Sequence, residues 1–156
     1  MICVNALRKF SERPDYISIE SNKTSFSKLK SEIQLFVELG YDAFQAIEQT
    51  SIPSDQTPPS PAREGKHVEH KFEEGSSGLF GAELPGPWMN SSQVMRLYRI
   101  IHLCYFLEGD DGVATKWKFP GAYRLRRQMW RVLEKMTKNN VKGWYDTHAR
   151  HRNVNA

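Results

Sequence analysis

The sequence predicts an α/β fold built on an open sheet, and three observations carry that prediction. Residues 15–48 read strand, helix, strand at the spacing of a βαβ-like unit. Residues 141–149 read as one more strand near the C-terminal end. Between them lies a long stretch of different character, 50–140, with a proline-rich segment, a glycine loop and two helical patterns.

The chain has 156 residues, about one domain's worth, and its 39% apolar and 26% charged residues are those of an ordinary globular protein. The longest apolar run, Ile100 to Leu107, is short and contains His102, so no membrane span is expected. The first residues carry no charged segment followed by a long apolar one, and Cys3 and Cys104 lie far apart without ligand-like spacing. These features fit free thiols in a reducing compartment, and a cytoplasmic location is expected.

Taken in order, Ile2, Ala6, Leu7 and Phe10 recur at helical spacing, and Arg13-Pro14 stops the pattern, which predicts a helix over 2–12. An uncapped helix at the very start is a hint of missing N-terminal sequence. Asp15 to Glu20 is rich in β-branched and aromatic residues and reads as a buried strand. Thr24 or Ser25 caps the next helix, whose Phe26, Leu29, Ile33, Phe36 and Val37 share a face, and Gly40 suits the left-handed position after its end. Tyr41 to Glu48 is the second strand.

Pro53, Pro58, Pro59 and Pro61 interleave with polar residues, which argues against regular structure over 50–71 and for mobility. Gly75 to Trp88, with glycines at 75, 78 and 81 and then Pro85-Gly86-Pro87, suits neither helix nor strand and is expected to close over a ligand site. Asn90 with Gln93 makes a capping box for a helix through Val94, Leu97, Tyr98, Ile101, Cys104 and Tyr105. Residues 108–112 are a turn by composition. After Gly121 a second helix carries Tyr123, Gln128, Met129, Val132, Leu133 and Met136 near one face and Arg124, Arg127, Arg131 and Lys135 on the other.

Few motifs carry chemistry outright. His67/His70 and His148/His151 are each spaced three apart, yet no third metal ligand is indicated, so no metal is expected. Gly75-Ser76-Ser77-Gly78 could offer backbone amides to an anion, but it has neither the Lys-Ser/Thr of a P-loop nor the flanking elements of a dinucleotide fingerprint. No G-x-S-x-G is present, so serine-nucleophile chemistry is not expected. Glu20 and His148, both at strand ends, are the candidates for acid, base or binding roles, with Gly75, Ser76, Ser77, Gly78, Phe80 and Gly81 as the substrate-side loop. The net charge of +4 is concentrated over 116–142, where nine Lys and Arg meet only Glu134; a solvated helix face explains this better than a polyanion site.

Pro14-Asp-Tyr-Ile-Ser-Ile-Glu20, a helix ending Leu39-Gly40-Tyr41, Gly75-Ser-Ser-Gly78-Leu-Phe-Gly81, Leu84-Pro-Gly-Pro-Trp88 and Gly143-Trp-Tyr-Asp-Thr-His-Ala149 occur in this order. Together they resemble the later half of FkbM-type methyltransferases. The resemblance implies part of a class I, Rossmann-like sheet, with residues 15–20, 41–48 and 142–149 as strands five, six and seven. The last strand would insert antiparallel between its two predecessors. Residues 1–49 and 141–151 would be the partial core, 50–140 an insertion and 152–156 a tail.

The resemblance also implies methyl transfer from S-adenosylmethionine to a hydroxyl of a small molecule or sugar. Yet the chain contains neither the D-x-G-x-N-x-G-like turn nor the Asp-Ile/Val-Glu-Gly strand that holds the cofactor in that family. No cofactor-binding residue is therefore carried over, and the chain alone is expected not to bind S-adenosylmethionine and to be inactive. A missing N-terminal half, or self-association through the exposed edge of the 15–20 strand, is the expected partner relation. The alternative is a non-enzymatic module that binds nucleic acid or another polyanion through its basic helix.

Overall fold

The computed structural model describes residues 7–9, 12–22, 25–50, 52, 56–108, 112–116, 118–137 and 144–154. The elements run β1 (Tyr16–Glu20), α1 (Phe26–Glu38), β2 (Tyr41–Glu48), α2 (Ser91–Glu108), α3 (Ala122–Thr137) and β3 (Tyr145–His151), with short 3₁₀ turns at Gly81–Glu83 and Val113–Lys116. Among the described residues the protein is thus α/β, with three helices and one three-stranded sheet. No helix among the described residues is long and apolar enough to cross a membrane. The helix expected over 2–12 lies mostly outside the described residues; Leu7 is described and packs against the core.

Local chemistry accounts for each helix. The Ser25 hydroxyl accepts from the Lys28 amide at 3.4 Å, and the Asn22 carboxamide oxygen accepts from the Ser25 amide at 2.8 Å, so the first turn of α1 is capped twice. Gly40, at φ 99°, ends it as the sequence predicts. At α2 the capping box is reciprocal: the Gln93 amide donates to Asn90 Oδ1 and the Asn90 amide to Gln93 Oε1, both at 2.9 Å.

The strand order is β1-β3-β2, and β3 is antiparallel to both neighbours. β1 and β2 therefore run the same way, joined by α1, with the last strand inserted between them as expected. Every hydrogen-bonded pair is antiparallel, so the adjacent parallel strands of a full Rossmann-type sheet are not found among the described residues. β3 extends to His151 rather than stopping at 149, because Arg150 covers the Trp88 ring and His151 packs edge-on against Tyr41. Of its expected start, residues 141–143 fall outside the described residues.

Side chains alternate along a strand, so Ile17, Ala149 and Phe44, which are register partners across the sheet, share one face. That face carries the core. Leu29, Ile33 and Phe36 of α1 and Val94, Tyr98 and Ile101 of α2 pack against it. Burying each such side chain contributes about 1.5–3 kcal/mol, so α2, from within the 50–140 stretch, supplies much of the same core. A closed triangle of hydroxyls pins α2 to the sheet: Ser21 Oγ to Tyr98 at 2.6 Å, Tyr98 to Thr147 Oγ1 at 2.6 Å, and Ser21 Oγ to Thr147 Oγ1 at 2.7 Å.

One sequence expectation is corrected. β1 is not a buried strand: it lies at the sheet edge, and Ile17 alone among its residues is fully buried. On α3, Tyr123 is 74% and Val132 57% exposed. α3 packs mainly on α2, and among its described side chains only Ala122 is buried.

Candidate functional site

The opposite face of the sheet is polar, and the two-residue period decides which side chains stand there. Ser18, His148 and Gln45 form one row across β1, β3 and β2; Glu20, Asp146 and Ile47 form the next. The second row lies at the carboxyl ends of β1 and β2, the end at which open α/β sheets bind their ligands.

Irregular chain from 56 to 88 covers this face. Trp88 lies 5.9 Å from the Tyr16 ring and receives the Arg150 guanidinium at 5.2 Å, and the Gln45 amide donates to the Gly86 carbonyl at 3.4 Å. Phe80 contacts both Tyr16, at 6.3 Å, and His148, at 5.9 Å. The segment has no helix or strand over 56–71, as its prolines predict, yet it is tethered rather than loose. Gln56 Oε1 accepts from the Leu79 amide at 2.8 Å, Glu83 Oε1 accepts from the Arg63 and Glu64 amides at 2.8 Å each, and Arg63 donates to the Leu84 carbonyl at 2.9 Å.

Where the loop stands off the strand ends, it leaves a cleft of about 490 Å³. Glu20, His148, Gly75, Ser77, Gly78 and Phe80, all singled out in the sequence, line it together. Ser76 and Gly81 do not. Ser76 closes a turn with Glu73, and Gly81 sits against Tyr16. Ser18, Asp146 and Trp144 join the lining. Periodicity was the signal for the first two, since Ser18 and Glu20 alternate in β1 as Asp146 and His148 do in β3.

His148 is the buried centre of this face, 3% exposed, with Nε2 3.4 Å from Ser18 Oγ. Its Nδ1 is buried without a hydrogen-bond partner. Burial pushes the imidazole down to about 4, so the ring is uncharged at neutral pH. Across the cleft floor Glu20 and Asp146 stand directly opposite each other, and among the described residues no Lys or Arg lines the cleft. Burial first, and then the Glu20 charge, raises the Asp146 carboxyl above its ordinary value. Phe80 and Trp144, 50% and 48% exposed, stand among the lining residues.

The histidine pairs do not form metal sites. Residues three apart on a strand face opposite sides, so His148 points to the polar face while His151 stacks on Tyr41. His67 Nδ1 lies 2.8 Å from the Pro59 carbonyl, and His70 packs against Phe72. Among the described residues no three His, Cys, Asp or Glu side chains converge on a point that could hold a metal ion. Cys104 is a buried free thiol, pushed up to about 11 by burial and so inert as a nucleophile; Cys3 lies outside the described residues. Compared with known proteins, the chain matches no family model, no curated protein and no solved structure.

Proposed function

We propose that this chain forms the acceptor-binding part of an FkbM-like methyltransferase, with the cleft between the glycine loop and the strand ends receiving the hydroxyl that is methylated. The observation that carries the reading is the conjunction of strand order with cleft position. A last strand antiparallel between two like-directed strands is what the resemblance implies, and the candidate residues from β1, the loop and β3 meet at the carboxyl ends of those strands.

The residues present do not fit S-adenosylmethionine itself. The chain contains neither the D-x-G-x-N-x-G-like turn nor the Asp-Ile/Val-Glu-Gly strand, and the Leu79 amide in the glycine loop is already taken by Gln56. The reading therefore concerns the acceptor side alone. There, His148 is one wall of the acceptor site, the loop limits access of water, and the cleft holds the acceptor in place. Positioning of that kind supplies a large part of the rate in methyl transfer.

Calorimetry with S-adenosylmethionine should detect no binding to the 156 residues alone. Mixed with a polypeptide that supplies the cofactor-binding strands, the chain should support transfer of a labelled methyl group to a hydroxyl acceptor. Transfer that is unaffected by His148→Ala in the mixture would overturn the assignment of the cleft.

A second reading is favoured by a specific observation. Arg124, Arg127, Arg131 and Lys135 all face solvent on α3, beside the exposed Tyr123. Such a face can bind a polyanion, and affinity for single-stranded nucleic acid that falls steeply with salt would support it. No binding at low salt would dismiss it.

A further inference from the structure

We infer that the α2–α3 corner docks on an anionic lipid surface, with α3 lying in the headgroup layer and its cations on the lipid anions. The surface is separate from the cleft, so its failure leaves the acceptor reading untouched. A lipid surface, rather than nucleic acid, is then the polyanion that α3 meets.

Charge sets the class of partner. Within Ala122–Thr137, Arg124, Arg126, Arg127, Arg131 and Lys135 stand against Glu134 alone. Of these, Arg124, Arg127, Arg131 and Lys135 are exposed, and Lys116 and Lys118, also exposed, lead into the helix. A neutral or cationic partner gains nothing from such a face, whereas an anionic one is attracted by every cation within a Debye length.

The apolar side chains beside the cations select among anionic partners. Leu125 and Val132, 41% and 57% exposed, are seven residues apart and so lie on one line along α3. Gln128 and Lys135 border that line, and Arg124 and Arg131 follow around the turn. On α2, which packs against α3, Leu103 and Phe106 are 51% and 63% exposed. A nucleic acid has no use for Leu103, Leu125 or Val132, since its phosphates take cations and its bases take aromatic faces.

An anionic bilayer serves both kinds of group. Its headgroups meet the cations, and its acyl chains begin just beneath, within reach of the apolar side chains. Arginine and lysine stems can lie along that boundary while their charged ends stay in the headgroup layer. Neither α2 nor α3 is long and apolar enough to cross a membrane, so the contact is one of surface docking.

The test is flotation of the full chain with vesicles of phosphatidylcholine alone and of equal parts phosphatidylcholine and phosphatidylserine. Vesicle-bound chain rises, and self-associated chain does not. The chain should float with the mixed vesicles and not with the neutral ones, and less so as salt is raised. Arg131→Gln should lower the partition coefficient about fivefold, the effect of one cation near such a surface. Leu125→Ser combined with Val132→Ser should lower it about tenfold, with less dependence on salt. All three positions are exposed, and circular dichroism of each free variant verifies its fold.

Equal flotation with the two kinds of vesicle, none with the mixed vesicles at low salt, or unchanged flotation of a folded Leu125→Ser/Val132→Ser protein would each overturn the inference. So would tighter binding to a single-stranded oligonucleotide or to polyglutamate than to mixed vesicles of equal anionic charge. The oligonucleotide result would support the nucleic-acid reading in its place. Methyl transfer is read separately, in the reconstituted mixture.

Discussion

His148 concentrates the conflict between folding and function at a single residue. The ring is sealed between Ser18, Gln45 and Phe80, and burial lowers its affinity for protons from 6.5 to about 4. Between those two values the unfolded chain binds more protons than the folded one. Stability is therefore fully present above 6.5 and is lost as pH falls toward 4, by roughly 2 kcal/mol at pH 5 from this group. Asp146 works with the opposite sign, because its raised carboxyl holds a proton longer in the folded state. Urea denaturation at pH 7 and pH 5 should show His148→Gln losing less stability on acidification than the wild type. Equal losses would mean the ring is not desolvated as described.

Tyr98 carries a second prediction at this scale. Its hydroxyl lies within hydrogen-bond distance of both Ser21 and Thr147, and burial raises it to about 12, so it stays protonated throughout the physiological range. Tyr98→Phe leaves the Ser21–Thr147 bond in place, which holds the cost to about 1 kcal/mol in chemical denaturation. A loss several times larger would point to a collapse of the contact between α2 and the sheet.

Among the elements, the glycine loop is where composition and tertiary contact part company. Its glycines announce irregular chain, and irregular it is, but only contacts distant in sequence decide how each glycine matters. At Gly78, φ +73°, a methyl group would run into the Gln56 carboxamide and touch Ile52. At Gly75, φ +83°, it would meet nothing. Gly75→Ala should therefore cost only the left-handed backbone strain, about 1 kcal/mol, while Gly78→Ala should add the loss of the Gln56–Leu79 anchor, about 1–3 kcal/mol more. Thermal melts of the two variants compare them directly, and equal melting temperatures would contradict the anchoring role of Gln56.

On the scale of the whole molecule, the two edges of the sheet differ: that of β2 is bridged at one point and that of β1 is not. The outer edge of β2 exchanges two backbone hydrogen bonds between Phe44 and Met89, at 2.7 and 2.8 Å. No strand among the described residues pairs with the outer edge of β1. An unpaired edge is a template for another chain, so concentration-dependent association is expected in analytical ultracentrifugation, with slowed amide exchange in β1 in the associated form. A sharp, reversible melt of a monomer would count against it.

Much of the element pattern was legible because it depends on neighbours in sequence. Leu29, Ile33 and Phe36 repeat at the helical period, Asn90 and Gln93 are three residues apart, and Gly40 follows the last turn of α1. The same locality explains the miss. The 15–20 strand is apolar whether it is central or at the edge. Burial belongs to the assembled chain.

The sequence by itself determined the α/β class, the boundaries of β2, the caps, and the short list from which the cleft is built. Those follow from backbone preferences and side-chain periods a few residues long. Only the tertiary structure decided that Glu20 faces Asp146, that His148 lies beneath Phe80 with one nitrogen unpartnered, and that His151 turns away from it. Strand register is a relation between residues about a hundred or more positions apart, and in a sheet a shift of one residue exchanges the faces.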